Sequence, residues 1–352
     1  MPLVPEMPHL RTPTYTAKKT VWAPAFILRI SILGLFLLLV SITGQTAESP
    51  TNLKVGYLSI AAGHSVLWVT KEAGLFEKNG LSVETIYAPS SALTQAMLAR
   101  SIPLGITGPV SPLEANLKGA DFVILGTLRK TPTLVYLVSH KKITSVQQLR
   151  GKKLGVGRFG SATDKVLLMT LKKVGIEPHE VTLLQLGNSA LRMIALQQQG
   201  IDATILTVED GLAAKRLGLN VLLDIRQLGI EYPTNEIITT RKFVEQNERT
   251  VRGFMTSMVE GIHFYKTQKA KSMEIMRKYI KVGEPEVIEV GYDFTAKETQ
   301  RKPYVSLTGM RVAIDDLATT NSAAGKMRPE QFVDSRFVTE LDRSGYIDSL
   351  YR

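Results

Sequence analysis

The sequence predicts an α/β protein of two lobes, each a mostly parallel sheet flanked by helices, with two crossing segments as a hinge. Three observations predict it. Short apolar runs alternate with helix-period segments along most of the 352 residues, the pattern of parallel strands with helices on both faces. The same series of runs occurs twice, from residue 53 and again from residue 153. Two further β-rich runs, 133–139 and 236–240, stand where a chain passing from one copy to the other and back needs them.

Taken in order, residues 53–58 form a buried strand, and a loop with Gly63, His64 and Ser65 leads to a helix at 66–73 that stops at Gly74. A strand at 81–87, the loop Ala88-Pro89-Ser90-Ser91, a helix at 93–100 and a strand at 102–107 follow. The second copy reads strand 153–156, loop Gly160-Ser161-Ala162-Thr163, helix 164–174, strand 181–186, loop Gly187-Asn188-Ser189, helix 190–199 and strand 201–206. Local identities set the register: Ser91-Ala92-Leu93 answers Ser189-Ala190-Leu191, and Lys54 and Gly56 answer Lys153 and Gly155. Beyond residue 243 the pattern is helical, with Val251, Phe254, Met255, Met258, Val259 and Ile262 at three- and four-residue spacing. The expected organisation is 48–138 with 236–352 as one lobe and 139–235 as the other.

Residues 1–47 are a separate segment. Arg11, Lys18, Lys19 and Arg29 precede a thirteen-residue apolar run, 30–42, which suits a signal-peptide core and falls short of the ~20 residues that span a bilayer. Small residues follow at 43–47, although cleavage after Ala47 puts Gln45 where a small side chain is preferred. Export to the periplasm is the expectation, with an uncleaved membrane anchor as the alternative.

An apolar fraction of 44% and a charged fraction of 21% describe a globular chain with a full core. With no cysteine, disulfides, thiolate metal sites and a cysteine nucleophile are excluded. After residue 47, 39 basic residues face 31 acidic ones, a net of +8 that favours anionic small molecules or surfaces. The basic residues are scattered and not interleaved with aromatics, so no nucleic acid is expected as a partner.

The run Glu72-Ala73-Gly74-Leu75-Phe76-Glu77-Lys78-Asn79-Gly80-Leu81-Ser82-Val83-Glu84 resembles a hallmark of periplasmic solute-binding proteins of the nitrate/sulfonate/taurine and thiamine-pyrimidine-precursor group. Leu149-Arg150-Gly151-Lys152-Lys153-Leu154-Gly155-Val156 resembles their lobe-crossing segment. The resemblance runs from about residue 53 to the end of the chain. It implies the type II periplasmic-binding-protein fold, in which two lobes close on a small solute and deliver it to the permease of an ABC importer. A monomer, no cofactor and no catalytic residue go with that reading. Its alternatives are a membrane-tethered sensory domain or a pyrimidine-precursor-type enzyme; the synthases of that branch use a cysteine-rich motif, absent here.

Ligands of open α/β sheets bind beyond the carboxyl ends of strands, where helix N-termini hold anionic oxygens. The candidate ligand-binding residues are therefore Ala61, His64, Ser90, Ser91, Thr107 and Gly108 in the first lobe. Arg158, Ser161, Ala162, Thr163, Asn188, Thr207 and Glu209 answer them in the second, with Tyr232 and Asn235 at the crossing. Each hydroxylated member is equally an ordinary helix cap. The related family often has a glycine pair after the second strand; this chain has Pro89-Ser90-Ser91 there. Arg158 suits a bidentate anion contact, Glu209 and Asp210 suit an amine or ring N–H, and Phe159 and Tyr232 suit stacking on a planar group. The positive charge makes an anionic solute the expectation, while Glu209 and Asp210 leave a cationic or heteroaromatic one open. Gly155-Val156-Gly157-Arg158-Phe159-Gly160 has the form of a dinucleotide loop, but the next strand ends in Gly187-Asn188 without the acidic residue a ribose requires. The five histidines share no metal-ligand spacing, and no G-x-S-x-G elbow occurs.

Overall fold

The computed structural model describes Thr14 and residues 49–281 and 284–352. The export segment expected at residues 1–47 lies outside the described residues. Among these residues, no helix is long and apolar enough to cross a membrane.

The first four strands are β1 (Thr51–Tyr57), β2 (Leu81–Tyr87), β3 (Leu104–Thr107) and β4 (Phe122–Thr127). Five more follow: β5 (Leu134–Ser139), β6 (Lys153–Val156), β7 (Thr182–Gln185), β8 (Ala203–Thr207) and β9 (Asn220–Asp224). Then β10 (Glu236–Thr240) returns to the first group. They form two five-stranded sheets, ordered β2-β1-β3-β10-β4 and β7-β6-β8-β5-β9. The two orders match position for position, as the duplicated sequence requires. In each sheet the strand that arrives from the other half is antiparallel: β10 to β3 and β4, and β5 to β8 and β9.

This places the outward crossing at residues 128–133. The sequence reading put it near Ser139, but β5 is already paired in the second sheet at Leu134 and from Tyr136 to Ser139. An apolar strand gives no sign from its own pattern of which sheet it will join. β3 and β4 are buried along their whole length, the mark of strands covered on both faces.

The first sheet packs on the long helix Glu248–Thr267, whose Val251, Phe254, Met255, Met258 and Ile262 join Trp68 and Phe76 in the core. Trp68 stacks on Tyr279 with centroids 4.7 Å apart, and Phe76 on Phe254 at 5.4 Å. The approach of this helix to the helix Ser65–Glu72 depends on Gly261, where an added Cβ would stand 1.8 Å from Thr70 Oγ1. The second sheet has its own core, with Leu137, Leu154, Val166, Leu167, Leu171 and Ile205 at its centre.

Candidate functional site

The loops at the carboxyl ends of β1, β3 and β6 converge with the segment before β10 around a cavity of about 270 Å³. Its wall consists of Leu58, Gly108 to Ser111, Arg158, Gly160 to Ala162, and Tyr232 to Thr234. Both sheets therefore contribute, and the cavity lies between them.

The β6 side is built by hydrogen bonds within its loop. Gly160 has φ +76°, a conformation that costs a side-chain-bearing residue about 1 kcal/mol or more. Its N–H donates to Asp164 Oδ2 at 2.8 Å, and Gly157 N–H donates to Thr163 Oγ1 at 2.8 Å. Ser161 Oγ donates to Arg158 O at 2.5 Å and lies 2.8 Å from Thr163 Oγ1. Ser161 is the N-cap residue of the helix Ala162–Lys173, yet its side chain does not cap the helix. The N-terminus of a three-turn helix thus faces the cavity without a side-chain bond from its N-cap residue, with the buried Asp164 in its first turn and the exposed Arg158 beside it.

Of the residues singled out in the sequence, Gly108, Arg158, Ser161, Ala162 and Tyr232 line this cavity. Thr107 and Thr163 stand next to lining residues. Ser91 borders a separate groove of about 370 Å³ with Thr94, Gln95 and Glu114, sharing only Ser111 with the first. Ser90 begins the helix Ser90–Leu98; its side chain is outside the described residues. Asn188 and Thr207 are helix caps, Asn188 Oδ1 accepting from Leu191 N at 3.0 Å and Thr207 Oγ1 from Asp210 N at 3.2 Å. Ala61 precedes the short turn Ala62–His64 without a side-chain cap bond. Glu209 packs against the helix Pro285–Glu298, its Oε1 2.7 Å from where a Cβ on Gly291 would stand.

His64 and Asn235 belong to a buried polar network behind the cavity. Asn235 Nδ2 donates to Gly63 O at 3.1 Å and lies 3.4 Å from His64 Nε2, while Ser59 Oγ is 3.2 Å from His64 Nδ1. Asn235 Oδ1 accepts from Arg129 Nη2 at 2.8 Å and from Thr234 Oγ1 at 3.1 Å. Its amide is therefore committed to joining the two crossing segments.

Arg129 is the residue the sequence reading missed. It is 1% exposed, its Nε and Nη1 have no hydrogen-bond partner, and its guanidinium lies 5.5 Å from the Phe294 ring centroid. Burial pulls its pKa down, opposed by the charges of Glu209, Glu298 and Glu236. Glu236 is fully buried and burial drives its carboxyl well above the usual range, as it does more mildly for Glu209. A lone arginine between two apolar strands carries no spacing signal, and only the folded chain shows the acids around it.

Burial, with Arg129 nearby, holds His64 down to about 3. The unfolded chain protonates this ring below its ordinary 6.5, so between pH 6.5 and 3 the unfolded state binds more protons and stability falls as pH is lowered. Glu209 and Glu236 act in the opposite sense, since their raised values favour the folded form at low pH and that contribution is lost as pH rises above 4.5. In urea melts, His64→Gln is expected to lose less stability than the parent between pH 6.5 and 4. Equal slopes would show that the ring does not titrate in this way.

Three ion pairs, made by two basic residues, bridge the parts of the chain built on different sheets. Lys165 on the Ala162 helix meets Asp316 on the helix Leu307–Ala318 at 3.0 Å, with both side chains nearly buried. Arg216, on the helix Val208–Arg216, pairs with Glu284 and Glu286.

Among the described residues no cluster of histidines and acids is suited to a metal. An aliphatic sulfonates-binding protein of Escherichia coli strain K12 is 26% identical over 262 residues, 72% of this chain and 78% of that protein. The periplasmic aliphatic sulphonate binding protein SsuA from Escherichia coli superposes with a TM-score of 0.68 at 23% identity, over 82% of this chain and 93% of that one. The desulfurization enzyme DSZB has the same fold, with a TM-score of 0.61 at 14% identity over 84% and 99% of the two chains. The expected periplasmic-binding-protein fold is thereby borne out. A family model described as NMT1/THI5 like matches residues 61–271, more than half of the sequence, so the chain belongs to the NMT1/THI5-like family.

Proposed function

We propose that the cavity between the sheets captures a sulfonate-type anion outside the cytoplasm for delivery to an ABC importer permease. The observation that carries this reading is the N-terminus of the Ala162 helix, with Ser161 and Arg158 at its mouth. Sulfonate oxygens accept from the amides of its first turn, while Arg158 supplies a full positive charge; Ser161 Oγ joins them only by turning its proton away from Arg158 O. Gly108 and Ser111 approach from the other sheet and leave room for the organic part of the solute. The net positive charge and the sulfonate-binding relatives support the same chemistry.

Capture follows hinge closure. The parts built on the two sheets, roughly 49–127 with 236–352 and 134–228, turn about the crossings near 128–133 and 229–235. Lys165–Asp316 and Arg216 with Glu284 and Glu286 then hold the closed form. The protein acts as a periplasmic monomer, with residues 1–47 directing its export or tethering it.

Calorimetric titration with ethanesulfonate, sulfate and ethylamine tests the reading. Saturable binding of one ethanesulfonate per chain is expected, with no turnover; Arg158→Ala weakens it about 10- to 100-fold, the range for a lost charged hydrogen bond. No binding of any anion, or consumption of the sulfonate, would sink it.

A further inference from the structure

Both crossings also line a second cavity, of about 350 Å³, that shares no residue with the one between the sheets. The outward crossing contributes Lys130 and Thr131, and the returning one Gly229 to Glu231. Arg226 reaches it from the second half, two residues after β9, and Glu298 from the first, at the end of the helix Pro285–Glu298. Three of these charged groups are fixed by bonds to their surroundings. Thr131 Oγ1 donates to Glu298 Oε2 at 2.8 Å, and Ser306 Oγ donates to Glu231 Oε2 at 2.9 Å. Arg226 Nε donates to Asp224 Oδ1 at 2.8 Å, and its Nη2 to Oδ2 of the same carboxylate. Its guanidinium lies 5.6 Å from the ring centroid of Phe294, one turn before Glu298 on the helix of the other half.

Those bonds use only part of each group. Among the described residues, Lys130 Nζ, Arg226 Nη1, Glu231 Oε1 and Glu298 Oε1 have no hydrogen-bond or ion-pair partner. Two cations and two carboxylates thus border one concavity with bonding capacity left over. Arg226, Glu231 and Glu298 are half-buried, so water screens them less than it would on an open surface. A simple anion or a simple cation suits this wall poorly, since each would meet two groups of its own sign. A molecule that carries both charges matches it, and the volume is that of a small-molecule site, with the buried Ile230 as an apolar floor. We propose that this hinge cavity binds a small zwitterion, a carboxylate and a primary ammonium joined by a short carbon chain. Lys130 and Arg226 hold the carboxylate, and the three N–H donors of the ammonium go to Glu231 and Glu298. An occupant so held touches both crossings and both halves, and braces the hinge that the proposed closure turns on.

The test is calorimetric titration of the full chain with glycine, β-alanine and 4-aminobutanoate, beside acetate and ethylamine as the two halves of such a molecule. One zwitterion per chain is expected to bind, at least about tenfold tighter than either half, the factor for one added charged hydrogen bond. Lys130→Ala and Glu231→Gln each weaken it about tenfold or more, while Arg158→Ala, in the other cavity, leaves it unchanged. Lys130 is exposed and glutamine keeps an oxygen for Ser306 Oγ, so melting temperatures should match the parent and show that both variants fold. With the zwitterion bound, amide hydrogen exchange should slow at 128–133 and 229–235. Failure of all three zwitterions to bind, or affinities no better than those of acetate and ethylamine, overturns the proposal. Binding that survives Lys130→Ala and Glu231→Gln but is lost in Arg158→Ala also overturns it, by moving the zwitterion to the cavity between the sheets.

Discussion

Replacing Arg129 by methionine is expected to lower the unfolding free energy by about 3–5 kcal/mol at pH 8, the usual cost of removing one member of a buried charged group. The substitution keeps most of the side-chain volume but abolishes the bond to Asn235 Oδ1, which ties the outward crossing to the returning one. It also leaves Glu236 and Glu209 without the positive charge they face. Those carboxyls escape the penalty by taking up protons, so the loss shrinks as pH falls; their pKa values, already raised by burial, rise further without Arg129. Urea denaturation followed by circular dichroism at pH 8 and pH 5 measures both effects. Adding Glu236→Gln to the Arg129→Met background should recover part of the loss at pH 8. A change below about 0.5 kcal/mol at pH 8 would mean that the guanidinium compensates no charge there.

Arg192→Leu is the second large effect, a loss of about 3 kcal/mol in the same assay. Arg192 is 3% exposed and spans three acceptors: Gly187 O at 2.6 Å, Thr204 Oγ1 at 3.1 Å and Ile205 O at 3.3 Å. Thr204 Oγ1 in turn donates to Gly155 O at 2.6 Å, so one side chain joins the loop after β7 to β8 and β6. Leucine would fill much of the space but leave these buried oxygens unpaired, which costs more than the bonds themselves contribute. Amide hydrogen exchange should accelerate first at residues 186–189 and 203–206. Uniform acceleration over the whole chain would show that the arginine does not brace this loop in particular.

Both arginines were invisible as functional or structural features in the sequence. The duplicated series of strands and helices was legible because strand and helix periods, together with the shared Ser-Ala-Leu and Lys-x-Gly identities, are local properties. The loop Gly157 to Thr163 was legible for the same reason: small residues between a strand and a helix mark a place where backbone must come close to something. Asn188 and Thr207 show the limit of that logic. They stand in the strand-to-helix loops where a ligand contact was expected, and each gives its side-chain oxygen to the first turn of its own helix. A cap and a ligand contact require the same residue type at the same place, and one dimension does not separate them.

Residue order alone determined the two matching halves, the strand-to-helix loops and the kind of chemistry those loops offer, because these depend on neighbours a few positions apart. Folding in three dimensions decided which loops meet. It put β5 in the second sheet, left the Ala162 helix open toward Gly108 and Ser111, and drew Arg129, Asn235 and Glu236 together behind them. Those outcomes depend on contacts between segments far apart in the chain, such as Arg129 and Asn235, 106 positions from each other, and a buried charge declares its partner only when the chain has closed around it.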